Sequence, residues 1–167
     1  NLEELATILA SSKNTRLVHG NTSFGVYKEE YLDSIIHIDI RMIPELKTES
    51  KLKDNYLEFS ASTTYSEFIN LLANTFKKLK ISSKKTAKYG LTVLGALDYM
   101  ARRTAGRIVR NAATVGGNTM LVLKHIPKGS GDPFPSDLFT SLYAAKTLIT
   151  YYDFANGNFV KETKNAQ

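Results

Sequence analysis

Not one of the 167 residues is cysteine. Disulfides, thiolate metal sites, iron–sulfur ligation and cysteine nucleophiles are therefore excluded from anything this chain does alone. No apolar run approaches the roughly 20 residues of a membrane helix, and the opening Asn1-Leu2-Glu3-Glu4-Leu5 is acidic and amphipathic rather than signal-like. A cytoplasmic protein without a membrane partner is the expectation. The three histidines, His19, His37 and His125, stand far apart with no H-E-x-x-H spacing, so each reads as structural and no metal site is expected. Neither G-x-G-x-x-G nor G-x-x-x-x-G-K-[ST] occurs, which removes the Rossmann and P-loop nucleotide sites. No Ser-His-Asp, paired-carboxylate or metal constellation marks a catalytic residue.

What is present is enough to fold: 43% hydrophobic residues can bury one core, as a single domain or two small lobes. The net charge of +6 raises the question of nucleic acid. The excess is local, with six lysines at Lys77, Lys78, Lys80, Lys84, Lys85 and Lys88. The first three end a helical pattern, where cations are favoured, and the others fall in a Ser-rich connection. A solvated surface is expected there, and no nucleic-acid partner.

Leu2, Leu5, Ile8 and Leu9 recur at helical spacing and predict a first helix ending near Ser11 to Asn14. Strands are expected at Arg16–His19, at Ile35–Ile40 and at Tyr56–Ala61. Thr64 and Glu67, three apart before Phe68, Leu71, Leu72, Phe76 and Leu79, form a capping-box pattern that opens a helix. Val93 to Thr104 predicts another, with Val93, Leu94, Leu97, Met100, Ala101 and Thr104 on one face and Asp98, Arg102 and Arg103 elsewhere. Pro135-Ser136-Asp137 opens a third pattern carrying Leu138, Leu142 and Ala145, and Thr147–Tyr152 reads as a strand.

Two glycine segments carry the functional signal. The first runs Leu17-Val18-His19-Gly20-Asn21-Thr22-Ser23-Phe24-Gly25, an apolar strand entering a loop of small hydrogen-bonding residues. Such a loop can turn consecutive amides toward phosphate oxygens, with the Thr22 and Ser23 hydroxyls adding donors; a plain turn is the simpler alternative. The second is Arg110-Asn111-Ala112-Ala113-Thr114-Val115-Gly116-Gly117-Asn118. A long dinucleotide has a diphosphate and a ribityl chain, which need backbone donors from more than one loop.

This pairing resembles the FAD-binding domain of the xanthine dehydrogenase, aldehyde oxidase and carbon monoxide dehydrogenase family. Ile38-Asp39-Ile40 with Ile43-Pro44-Glu45-Leu46, Ser60-Ala61-Ser62-Thr63-Thr64 and Ser136-Asp137-Leu138 follow in the family's order. The resemblance covers most of the chain. It implies FAD as cofactor, held by Gly20, Asn21, Thr22 and Ser23 from the first loop and by Thr114, Gly117 and Asn118 from the second. Asp137 matches an aspartate facing the flavin nucleotide, although an acid at a helix N-terminus is equally explained by the macrodipole. Leu17, Val18 and Ala61 are expected to line the pocket or the core beneath it.

The implied fold is α+β and two-lobed, with a small N-terminal lobe over 1–50, a larger mixed lobe over 51–167, and FAD between them. A further C-terminal lobe usual in the family is expected to be missing from this chain. The implied function is an electron relay inside a molybdenum hydroxylase, from partner iron–sulfur and molybdenum-cofactor domains through FAD to NAD or oxygen. A self-contained FAD-dependent oxidoreductase and a basic, non-flavin binding module stay open as alternatives.

Overall fold

In a computed structural model, residues 1–26, 36–54, 56–80, 92–125 and 136–166 are described. Lys84, Lys85, Lys88, Ile35 and Pro135 lie outside them. The periodic N-terminal segment forms α1 (Leu2–Ser11), capped by the Asn1 side chain, which accepts from the Glu4 amide. Next come β1 (Thr15–Val18) and β2 (Ile36–Asp39), which pair in parallel with Leu17 opposite Ile38. A single 3-10 turn at Pro44–Leu46 and a short antiparallel pair, β3 (Lys51–Leu52) with β4 (Leu57–Glu58), follow. The strand expected over Tyr56–Ala61 is thus only two residues long, because the chain turns at Ser60, where Thr63 N–H bonds back to the Ser60 carbonyl.

The capping box at Thr64 and Glu67 is formed in full and opens α2 (Tyr65–Lys78). Its Phe68 and Leu72 are completely buried. The helices α3 (Val93–Arg103), α4 (Arg107–Ala112), α5 (Val115–His125) and α6 (Asp137–Ala144) complete the helical part. Tyr65, Phe68, Leu72, Phe76, Leu97, Ala101, Val115, Leu138 and Leu142 make its core, with the Phe59 and Phe68 rings 4.8 Å apart.

On α3 the expected apolar face is only partly correct. Leu97 and Ala101 are buried, but Val93 is exposed, and Asp98, placed off the apolar face, is only 3% exposed. Its carboxylate accepts from Arg102 Nε at 2.8 Å, one turn on, so a charge is carried inside with a cation beside it.

The chain closes with β5 (Leu148–Ala155) and β6 (Asn158–Asn165), an antiparallel hairpin turning at Asn156 and Gly157, both at positive φ. The hairpin returns to the start of the chain: Tyr152, Phe154 and Phe159 pack with Leu2, Leu5, Ile38 and Ile43 in a second apolar cluster. The fold is a mixture of helices and strands. No described helix is long and apolar enough to cross a membrane.

Candidate functional site

The first glycine loop leaves the carboxyl end of β1, in the position where open parallel sheets commonly present ligand-binding turns. Leu17 and Val18 lead into it; Leu17 is 39% exposed and Val18 half-buried, so neither belongs to the buried core. Asn21 sits in the left-handed region at φ 51°, a conformation Asn tolerates better than most residues. Among the described residues the amides of Asn21 and Thr22 meet no protein acceptor. These amides and the half-buried Thr22 hydroxyl are available to an anion.

Gly20 has a packing role in addition to the one expected of it. A Cβ placed there would lie 1.9 Å from the Ala112 carbonyl oxygen and 3.2 Å from the Ala113 nitrogen. Glycine is required because the loop is pressed directly onto the backbone of the second glycine segment. The two segments, more than 80 residues apart in sequence, are neighbours in space.

The second segment is the start of a helix rather than an open loop. Thr114 is buried and pairs with Thr64 in an isolated antiparallel bridge. Its Oγ1 accepts the Gly117 amide at 3.0 Å, which caps α5. Val115 N–H donates to Thr63 O at 3.0 Å, Gly116 N–H to Ala61 O at 2.8 Å, and Asn118 N–H to Thr114 O at 3.1 Å. The first-turn amides therefore all have protein acceptors, and the expected cluster of free donors is not there. Gly116 needs its small size, since a Cβ would come within 2.7 Å of Ala61. Gly117 is exposed, is not at positive φ, and an added Cβ would meet only Thr114 Oγ1.

Ala61 is thus tied to this segment through its carbonyl, while its own side chain is exposed. The Asn118 Oδ1 accepts from the Ser136 hydroxyl, and Ser136 caps α6 by accepting from Phe139 N–H at 3.1 Å. Asp137 is the first residue of that helix. The structure accordingly assembles Gly20, Ala61, Thr114, Gly117, Asn118 and the start of α6 into one connected region.

Beside this region lies a cavity of about 690 Å³, walled by His19, Arg41, Lys47, Ser60, Ser62 and Thr63 among others. His19 Nδ1 is buried there without a hydrogen-bond partner, and burial lowers the ring's pKa. The Arg41 guanidinium is paired with Asp39 and holds that carboxyl down at about 2. Three histidines read as structural give no hint of this; the signal is only that His19 immediately precedes Gly20. No cluster of metal-ligating side chains occurs among the described residues.

The arrangement fits a dinucleotide: the Asn21 and Thr22 amides and the Thr22 hydroxyl at the first loop, an exposed Gly117 surface free of side chain, and the Asn118 side-chain amide at the helix start. Residues 1–160 match the family model described as the FAD binding domain in molybdopterin dehydrogenase. The chain is 34% identical over 141 residues to an aldehyde oxidase-like protein of Oryza sativa subsp. japonica, covering 84% of this chain and 9% of that protein. It is 31% identical over 163 residues to an indole-3-acetaldehyde oxidase of Arabidopsis thaliana, covering 93% and 11% respectively. Against an indole-3-acetaldehyde oxidase of Zea mays it is 31% identical over 153 residues, covering 89% and 10%. It therefore spans about a tenth of the length of these relatives. The chain belongs to the family of FAD-binding domains of the molybdopterin dehydrogenases, and its cofactor is FAD.

Proposed function

We propose that this chain is the electron-relaying flavin domain of a molybdenum hydroxylase of the aldehyde oxidase kind. Iron–sulfur and molybdenum-cofactor domains would deliver electrons, and NAD or oxygen would remove them. The observation that carries the reading is the seating of Gly20 on Ala112, immediately before the capped Thr114-Val115-Gly116-Gly117-Asn118 turn. That contact brings the two motifs together, which supports reading them as one site.

In this reading the Asn21 and Thr22 amides, with the Thr22 and Ser23 hydroxyls, hold the diphosphate. Leu17 and Val18 line its approach, and Ala61 forms the floor between the segments. Gly117 offers a bare backbone surface, Asn118 a side-chain amide fixed by Ser136, and Asp137 an acid at the helix start. Thr114 contributes by holding the turn in shape rather than through a free hydroxyl. When bound, FAD supplies the redox chemistry, so the protein's part is position and electrostatics. We further propose a lobe boundary near residue 50 with FAD between the lobes, completion by a C-terminal lobe beyond this sequence, and a cytoplasmic setting.

A visible absorption spectrum of the purified protein and titration with FAD and FMN test this. FAD is expected to bind non-covalently and more tightly than FMN, because the first loop is built for a diphosphate. Equal affinity for the two would refute that assignment. Co-purifying iron–sulfur and molybdenum subunits, or such domains in the same reading frame, separate a relay domain from a self-contained flavin oxidoreductase.

A further inference from the structure

We infer that Arg110, helped by Asn111, is a positioning residue for the flavin site: it clamps α4 so that the Ala112–Ala113 backbone is held where the first glycine loop closes on it. The inference rests on the FAD reading above but concerns two residues given no part in it.

Arg110 Nη1 donates to the carbonyls of Arg102, Thr104 and Ala105 at 3.1, 3.3 and 2.6 Å. These carbonyls lie at and just beyond the C-terminal end of α3, where helix acceptors lack internal partners and carry partial negative charge. A guanidinium there answers several acceptors at once and adds a favourable cation, which an ammonium on a flexible stem does less well.

The need for a clamp follows from what α4 lacks. It is six residues long, has no side-chain cap and buries none of its residues, and its Ile108 is 88% exposed. A helix so short has little stability of its own, and no apolar face anchors this one. Polar ties hold it instead. Arg110 fixes it to α3, the Asn111 Oδ1 accepts from the Ser66 hydroxyl of α2, and the Ala113 carbonyl accepts from Tyr65 N–H at 3.0 Å. The next residue along from Asn111 is Ala112, whose carbonyl touches Gly20. Releasing the clamp loosens the surface on which the first loop is seated, without removing any atom from the cofactor site.

The test uses Arg110→Ala, Arg110→Lys and, as a control, Thr92→Ala. The control removes the cap at the other end of α3, where Thr92 Oγ1 accepts from Gly95 N–H at 3.0 Å. Urea midpoints, FAD affinity, visible circular dichroism of the bound flavin, and hydrogen exchange of the FAD-free protein are measured for each. Arg110→Ala is expected to weaken FAD by about tenfold, to alter the flavin dichroism, and to speed exchange in residues 17–23 and 106–114. Arg110→Lys recovers part of each effect. Thr92→Ala loses comparable stability yet keeps wild-type affinity, dichroism and exchange in those segments. Wild-type affinity and exchange in Arg110→Ala would overturn the proposal, as would an equal loss of affinity in Thr92→Ala. If the wild type binds no FAD, the functional reading falls, and exchange alone decides whether the clamp holds the loop.

Discussion

Replacing Gly20 by alanine adds one methyl group at the contact that joins the two glycine segments. The added Cβ would sit 1.9 Å from the Ala112 carbonyl oxygen, while Cβ contacts below 3.0 Å are essentially never seen. The loop and α4 must therefore separate by more than about 1 Å, and neither neighbour is a flexible side chain that can swing aside. Gly20 is not at positive φ, so the penalty is steric rather than conformational. Overpacking of this kind costs about 1–3 kcal/mol of stability. Each amide-to-phosphate bond lost from the displaced loop would cost roughly 1.5–3 kcal/mol of binding, so FAD affinity should fall about 10- to 100-fold. Gly25→Ala is the matched control, since nothing lies within 4 Å of a Cβ at that position. Calorimetric FAD titration and urea unfolding of both variants give the answer. If Gly20→Ala matches Gly25→Ala in midpoint and affinity, the seating of the loop on Ala112 is wrong, and with it the observation that carries the functional reading.

Three other expectations follow from named contacts. Thr114→Ala removes the cap of α5 and should cost about 1 kcal/mol in urea unfolding, with Thr114→Ser retaining most of it; an unchanged midpoint in Thr114→Ala would exclude the cap. Asp39 is held at about 2 chiefly by its side-chain hydrogen bonds to Arg41. The unfolded chain takes up this proton first, so the contribution is complete above about pH 4 and is lost as pH falls toward 2. The pair is largely exposed, so solvent screening keeps the effect small; Arg41→Ala should flatten the pH dependence of the urea midpoint in that window. Finally, Lys77 and Lys78 end α2 as expected of cations at a helix C-terminus, and duplex DNA at physiological salt should give no gel shift. Submicromolar binding that weakens steeply with salt would contradict this.

The sequence determined what local chemistry can determine. Apolar spacing and end signals located α1, α2, α3 and α6, and the Thr64–Glu67 capping box forms because both of its bonds lie within four residues. The order of the glycine segments was enough for the family and hence for FAD. Tertiary structure decided everything that depends on a distant partner. Gly20 reads in the sequence as a ligand-facing glycine, but that its small size, like that of Gly116, is required by the backbones of Ala112 and Ala61 is visible only in the fold. The Thr114 turn looks like a donor-rich loop, but Ala61 and Thr63 accept two of its amides and the Thr114 side chain a third, so it begins a helix. Asp98 follows the polar side of a helical wheel and is nevertheless buried beside Arg102. The hairpin of β5 and β6 covers α1 from the far end of the chain. Periodicity reports which side of an element is apolar; it holds no information about which carbonyl, 50 or 90 residues away, will take an amide or stand where a side chain would have been.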